Sequence, residues 1–282
     1  MRGHLQILLG LWDWGKEILT AEELNYKLFL AKDICGRRAW HVAAEKGKLD
    51  VLHKLWELAN EVLTKEELNN MFLAKGKSER TAWHLAAMIG RLELLHKLWE
   101  WAKELLTTDD LSNKLFLAKD RDEKTAWHMA TENCQLDVLY KLWDWAKQVL
   151  TPEELNNNLF VNKDYWDDTA WHMAAKNGQI ELLHLLWECA KDVLTQGELN
   201  KLFLSKDIWD NTAWHLAAEN GKIELLHSLW EWAKDVLALE ELKKMFLAKD
   251  GKERTAWQMA AEKGELELFH HLWEWAKVIL TP

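Results

Sequence analysis

The stretch Thr212-Ala213-Trp214-His215-Leu216-Ala217-Ala218 decides how this chain is read, because the same phrase returns at a near-constant interval. It recurs as Arg38-Ala39-Trp40-His41, Thr81-Ala82-Trp83-His84, Thr125-Ala126-Trp127-His128, Thr169-Ala170-Trp171-His172 and Thr255-Ala256-Trp257-Gln258. The phrase alanines stand at 39, 82, 126, 170, 213 and 256, in steps of 43 or 44 residues. Self-similarity at this period marks a repeat array whose units each bury one face against the next. A solenoid grows by stacking, so the 282 residues are expected to form one elongated all-α domain and not two globules. Its expected parts are a partial repeat at 1–33, full repeats at 34–76, 77–120, 121–164, 165–207 and 208–250, and a partial repeat at 251–282.

Outward from the phrase, each repeat reads in four parts. A polar tip such as Arg121-Asp122-Glu123-Lys124 precedes a threonine able to cap a short helix. Five of the six phrase helices then meet glycine (Gly47, Gly90, Gly178, Gly221 and Gly264), the residue suited to a left-handed stop. Cys134 takes the sixth place, where a side chain is expected to cost about 1 kcal/mol. A longer helix follows, with apolar residues at the three-four spacing of one buried stripe, as at Leu136, Leu139, Leu142, Trp143 and Ala146. Capping boxes come next, at Thr20-x-x-Glu23, Thr64-x-x-Glu67 and Thr151-Pro152-Glu153-Glu154, and open a short extra helical turn. Leu111 to Leu115 encloses three residues where Leu199 to Leu202 encloses two. Because length variation favours loops, the helix is expected to end there, with Leu115–Asp120 extended.

The composition excludes several classes of function. A net charge of −10, with acidic residues in every repeat, leaves no clustered Lys and Arg for a nucleic-acid groove. Cys35, Cys134 and Cys189 fall at three different repeat positions, as free thiols in a reducing, cytoplasmic compartment would. The opening resembles a secretory signal only faintly, since Arg2–Leu8 aligns with Lys46–Leu52 and no small-residue cleavage site follows Trp14. No apolar run approaches the roughly 20 residues of a membrane span.

With T-A-W-H-x-A-A-x-x-G followed by an amphipathic helix, the chain resembles the ankyrin repeat, whose helical phrase is T-P-L-H-x-A. The resemblance covers essentially the whole chain. It departs in Ala for Pro, in Trp for Leu, and in repeats longer than the ankyrin length by the extra T-x-E-E-L turn. It implies a helical solenoid with polar finger segments, whose tips and first helices hold a protein partner on a concave face. It also implies that the phrase histidines make structural hydrogen bonds between fingers.

The candidate site residues emerge by sorting what the repeat explains from what it does not. His41, His84, His128, His172 and His215 belong to the phrase, while His53, His96, His184, His227 and His270 share a second register with Leu9 and Tyr140, so packing explains both sets. No repeat carries a nucleophile, base and acid that the others lack, and there is no phosphate loop, so neither an enzyme, a metal site nor a cofactor is expected. Of twenty tryptophans, eighteen sit in three registers and read as core.

Trp166 and Trp209 do not fit those registers. They occupy the second tip position of consecutive repeats, beside the apolar Tyr165 and Ile208, where other repeats carry Cys35, Ser78, Asp122 and Lys252. Large apolar groups on tips have no folding role and suit an interface. Met88, Ile89 and Ile34 extend the candidate surface, with Arg37 and Arg80 at its border. The expected function is therefore a non-catalytic protein-interaction scaffold. Two alternatives are a structural repeat segment without a specific ligand and an engineered or selected ankyrin-type binder. Apolar terminal helices without polar caps point to a segment of a longer array or to end-to-end self-association.

Overall fold

A computed structural model describes residues 2–20, 23, 28–264 and 266–280, with backbone alone at 2–5, 7 and 8. Parts of the two partial repeats, at 1, 21–22, 24–27, 265 and 281–282, lie outside the described residues. The protein is all-helical; among the described residues there is no β-strand, and an isolated bridge pairs Lys249 with Thr255. No described helix is long and apolar enough to cross a membrane. The chain divides into two compact units, Met1–Val138 and Leu139–Pro282.

The first unit opens with α1 (Arg2–Ile18). Next come α2 (Ala39–Glu45), α3 (Leu49–Val62) and α4 (Lys65–Phe72), then α5 (Ala82–Ile89) and α6 (Leu92–Leu105). The composite α7 is an α-turn at Thr108–Asp110 running into a π-helix at Leu111–Phe116, and α8 spans Ala126–Glu132. Helix α9 (Leu136–Val149) contains the boundary between the units.

In the second unit the composite α10 joins Pro152–Leu155 to a π-helix at Asn156–Phe160. Then follow α11 (Ala170–Asn177), α12 (Ile180–Val193), α13 (Gln196–Leu204), α14 (Ala213–Asn220) and α15 (Ile223–Val236). The unit closes with α16 (Leu239–Leu247), α17 (Ala256–Lys263) and α18 (Leu266–Leu280). Phrase helices pack side by side, α5 on α2 and α8 in the first unit, α14 on α11 and α17 in the second.

The local signals act as their chemistry requires. Thr81, Thr169 and Thr255 each accept the backbone N–H three residues on, and Thr64 with Glu67 and Thr151 with Glu154 form reciprocal capping boxes. The stop glycines are left-handed, and Cys134 is forced into the same region at φ 56°.

The extra turn differs from expectation. The third element is a helix of eight or nine residues in α4, α13 and α16, and the additional residue of the 44-residue repeats is absorbed inside it. Leu117 N–H reaches back five residues to Ser112 O, and Val161 N–H to Asn156 O, each at about the length of an ordinary hydrogen bond. One inserted residue widens a turn into a π-bulge more cheaply than it unravels a helix whose apolar face is buried. Leu115 and Phe116 are accordingly helical and buried, with Phe116 at 5.7 Å from Trp83 and 5.5 Å from Trp99.

In four repeats the phrase histidine bonds a carbonyl near the end of its own repeat, in the segment that leads to the next tip. His41 Nε2–H donates to Ala74 O at 2.8 Å, His84 to Ala118 O at 2.9 Å, His172 to Ser205 O at 3.0 Å and His215 to Ala248 O at 3.0 Å. The N–H three residues earlier donates to Nδ1, as Thr81 does to His84 at 3.3 Å, which selects the neutral tautomer protonated on Nε2. Burial accordingly depresses these imidazoles, to about 4 for both His84 and His172. Lysines at a second register add another tie, with Lys75 Nζ donating to Lys119 O at 2.9 Å and Lys206 Nζ to Lys249 O at 3.1 Å.

The phrase tryptophan is one wall of an aromatic cluster, which a leucine could not form. Trp40 lies 6.0 Å from Trp56, 5.9 Å from Phe72 and 5.8 Å from Trp101 of the next repeat. The cost is a buried indole N–H without an acceptor at Trp40 and again at Trp171, a loss of about 1–3 kcal/mol each offset by ring burial. Two tryptophans expected in the core are instead exposed, Trp14 at 67% and Trp273 at 46%.

Candidate functional site

The tips are built on one aspartate. Asp207 Oδ1 accepts the N–H groups of Trp209 and Asn211, both at 2.8 Å, and Asp210 is held left-handed at φ 61°. The same clasp recurs at Asp33, Asp120, Asp164 and Asp250. Burial raises the Asp250 carboxyl, but the Arg254 amide and guanidinium and the Lys252 amide outweigh it and hold it below the usual carboxylate range. A rigid turn of this kind fixes the direction of the side chain at its second position, which is where Trp209 stands.

Adjacent tips are stitched by backbone. Ile208 N–H donates to Trp166 O at 3.0 Å, and Gly251 N–H donates to Trp209 O at 2.7 Å. In the second unit this leaves a cleft of about 450 Å³ beside Trp209, lined also by Ile208, Lys176, Glu219, Gly251 and Arg254. Trp209 and Ile208 are half exposed in it. The Lys176 ammonium sits 5.8 Å from the centre of the Trp209 ring, a cation–π contact.

That contact follows from a charge reversal. In three repeats the last tip residue pairs with a carboxylate at the end of the phrase helix: Arg37 with Glu45 at 2.6 Å, Lys124 with Glu132 at 2.6 Å and Arg254 with Glu262 at 2.8 Å. The fourth full repeat swaps the signs, and Lys176 lies 3.9 Å from Asp168, loosely enough to reach over Trp209. The fifth places Asn211 opposite Glu219, and Asn211 spends its amide on Asp207 at 3.1 Å. Glu219 thus lines the cleft with no ion pair among the described residues.

Of the residues expected from sequence, Ile208 and Trp209 come together in this cleft, while Tyr165 and Trp166 form an edge-to-face pair at 5.5 Å with Tyr165 outermost. In the first unit a smaller cleft of about 220 Å³ takes in Cys35, Arg37, Arg80 and Met88. There Arg37 is held by Asp33 and Glu45, and Arg80, whose own tip has Gly76 in place of the aspartate, reaches Asp120 of the next tip at 2.9 Å. Ile34 is 98% exposed outside that lining, and Ile89 leans on the Gly47 turn, within 3.3 Å of where a Cβ there would stand.

A cavity of about 470 Å³ opens elsewhere in the second unit, beside Phe160, Val161, Leu202 and Leu204. It lies along the ends of the third helices and presents no Trp or Tyr. Cys35, Cys134 and Cys189 form no disulfide, and burial pushes the Cys189 thiol up to about 12, far from a nucleophile at neutral pH. No protein-family model matches the chain, and no curated protein matches it.

Sequence reasoning found the tip indole and missed Lys176, Asn211, Glu219 and Gly251. Their signal was present: aligned by register, the positions before the phrase and at the end of its helix read Arg/Glu, Arg/Met, Lys/Glu, Asp/Lys, Asn/Glu and Arg/Glu.

Proposed function

We propose that the chain is a non-catalytic protein-recognition scaffold, an ankyrin-like repeat solenoid that docks a protein partner on the tip at 207–211 and the cleft beside it. One observation carries this reading: the half-exposed Trp209 and Ile208 line a cavity while being held on a tip whose backbone is fully clasped. Rigid aromatic anchors of this kind lose little entropy on binding and dominate interface energetics. The solenoid reading is supported by the repetition of the histidine and tip hydrogen bonds from repeat to repeat. Cysteines that form no disulfide fit a reducing compartment such as the cytoplasm.

The cleft also favours a class of partner side chain. Glu219 lacks the cation that its equivalents have, and the chain carries a net charge of −10. A lysine or arginine of the partner would complete the ion pair while its stem lies against the apolar wall.

The test is a random-peptide display library panned on the intact chain, with Trp209→Ser and Glu219→Gln as comparison targets. The expected result is an enriched motif joining a basic to an apolar residue, whose binding is lost on Trp209→Ser and at least tenfold weaker on Glu219→Gln. Failure to enrich any motif, or peptides that bind all three proteins alike, would remove the cleft as a recognition site.

A further inference from the structure

Repeats within each unit are joined by an indole plug and socket. Trp101 stacks on Trp56 of the preceding repeat at 4.9 Å and 17°, Trp232 on Trp187 at 5.4 Å and 16°, and Trp275 on Trp230 at 5.4 Å and 17°. Each plug also meets the phrase tryptophan of that preceding repeat: Trp101 lies 5.8 Å from Trp40, Trp232 6.1 Å from Trp171, and Trp275 5.8 Å from Trp214. A histidine of the second register closes the third side, as His53 does at 5.8 Å from Trp101 and His227 at 6.0 Å from Trp275.

Among the described residues one socket and one plug are exposed. In the last repeat Trp257, Trp273 and His270 occupy the three socket positions, and all are wholly or partly exposed. In the filled sockets the two tryptophan walls are inclined at 37°, 46° and 43°, whereas Trp257 and Trp273 lie at 17° to each other. Phe269, where other repeats have leucine, lies 5.0 Å from Trp257 and leaves Trp273 open. On α1, Trp14 is in the plug register and is 67% exposed, with Leu11 and Ile18 exposed on the same helix.

The charges agree with the rings. Second helices of consecutive repeats are bridged by Lys16 to Glu61 at 2.8 Å and by Lys147 to Asp192 at 3.7 Å. Carried one repeat beyond α18, this register sets Lys277 opposite the residue equivalent to Glu61 and Asp192. On α1 that residue is Glu17, which is exposed.

We infer that the occupant of the open socket is a second copy of this chain, with Trp14 of one copy stacked on Trp273 of the other and Glu17 facing Lys277. The contact is heterologous: each copy offers a plug at one surface and a socket at another, so association continues beyond a dimer unless the rotation closes a ring. It involves none of the cleft residues, so it stands or falls separately from the proposed recognition site.

Sedimentation velocity on the full chain over a hundredfold concentration range tests this, with Trp14→Ser and Trp273→Ser, each verified as folded by circular dichroism. The wild type is expected to gain mass beyond the dimer as concentration rises, and each variant alone to remain a single chain. An equimolar mixture of the two variants retains one working plug and one working socket, so it is expected to stop at the dimer. Glu17→Lys is expected to weaken assembly at least fivefold, and combination with Lys277→Glu to restore it. A wild type that stays monomeric throughout, single variants that assemble like the wild type, or a mixture that does not dimerise would each overturn the inference.

Discussion

Gly251 and Trp209 are in backbone contact: the Gly251 amide donates to the Trp209 carbonyl at 2.7 Å, and a Cβ on Gly251 would stand only 3.0 Å from that oxygen. The other tips carry Ile34, Lys77, Arg121, Tyr165 and Ile208 at this position. Arg121 and Ile208 make the equivalent bond with a side chain present, at 2.9 and 3.0 Å, so glycine accounts only for the closer 2.7 Å approach of tip 250–254. Gly251→Val is expected to push the tips apart and cost about 1–3 kcal/mol. Urea denaturation would register the loss, and an unchanged midpoint would show that the tips yield without strain.

The histidine ties make stability depend on pH. In the unfolded chain an imidazole titrates at its ordinary 6.5, whereas burial holds His84 and His172 down to about 4, and His41 and His215 are lowered as well. The folded form thus binds fewer protons between those values. The contribution is complete above pH 6.5 and is lost as pH falls from there through about 4, by about 3 kcal/mol for each of the two most buried rings. Thermal melts at pH 7.5, 6, 5 and 4.5 are expected to fall steadily, and His84→Gln, which keeps the bond to Thr81 N–H as Gln258 does to Thr255 at 2.8 Å, is expected to flatten the slope.

Cys134 sits at φ 56° where the equivalent residues are glycine. Cys134→Gly is expected to stabilise the chain by about 1 kcal/mol, since the left-handed region costs a side chain that much. A rise in the urea midpoint checks this; a fall would mean that contacts of the thiol outweigh the backbone strain.

The π-helix at Leu111–Phe116 accommodates one residue more than α13 does. Deleting the exposed Asn113 is expected to convert it to an α-turn of the Leu199-x-x-Leu202 kind, with Leu111 and Leu115 still buried. Retained ellipticity and a melting temperature within a few degrees of wild type would confirm that the extra residue is a bulge. Loss of cooperative melting would show that the wider turn is required by its surroundings.

Much of this protein was determined by sequence alone, and always through interactions that reach only a few residues. A threonine can be seen to cap the amide three residues on, as Thr81 and Thr169 do, and a glycine such as Gly178 to end a helix, because both effects are settled within one turn. The repeat period and the buried stripe of each second helix are legible for the same reason. Trp209 stood out because it broke the register, although nothing near it in sequence marks Lys176 as its neighbour.

Tertiary structure decided what depends on the next repeat. Trp14 and Trp101 share a register and a local sequence, yet Trp14 is exposed while Trp101 is buried against Trp56, a ring 45 residues away in the chain. Glu45 and Glu219 are likewise equivalent by position, and differ because Arg37 closes one pair while Asn211 turns to Asp207. Local hydrogen bonding writes the helices into each repeat, but burial and charge pairing are properties of surfaces brought together across more than forty residues, and only the packed chain settles which of those surfaces remain open.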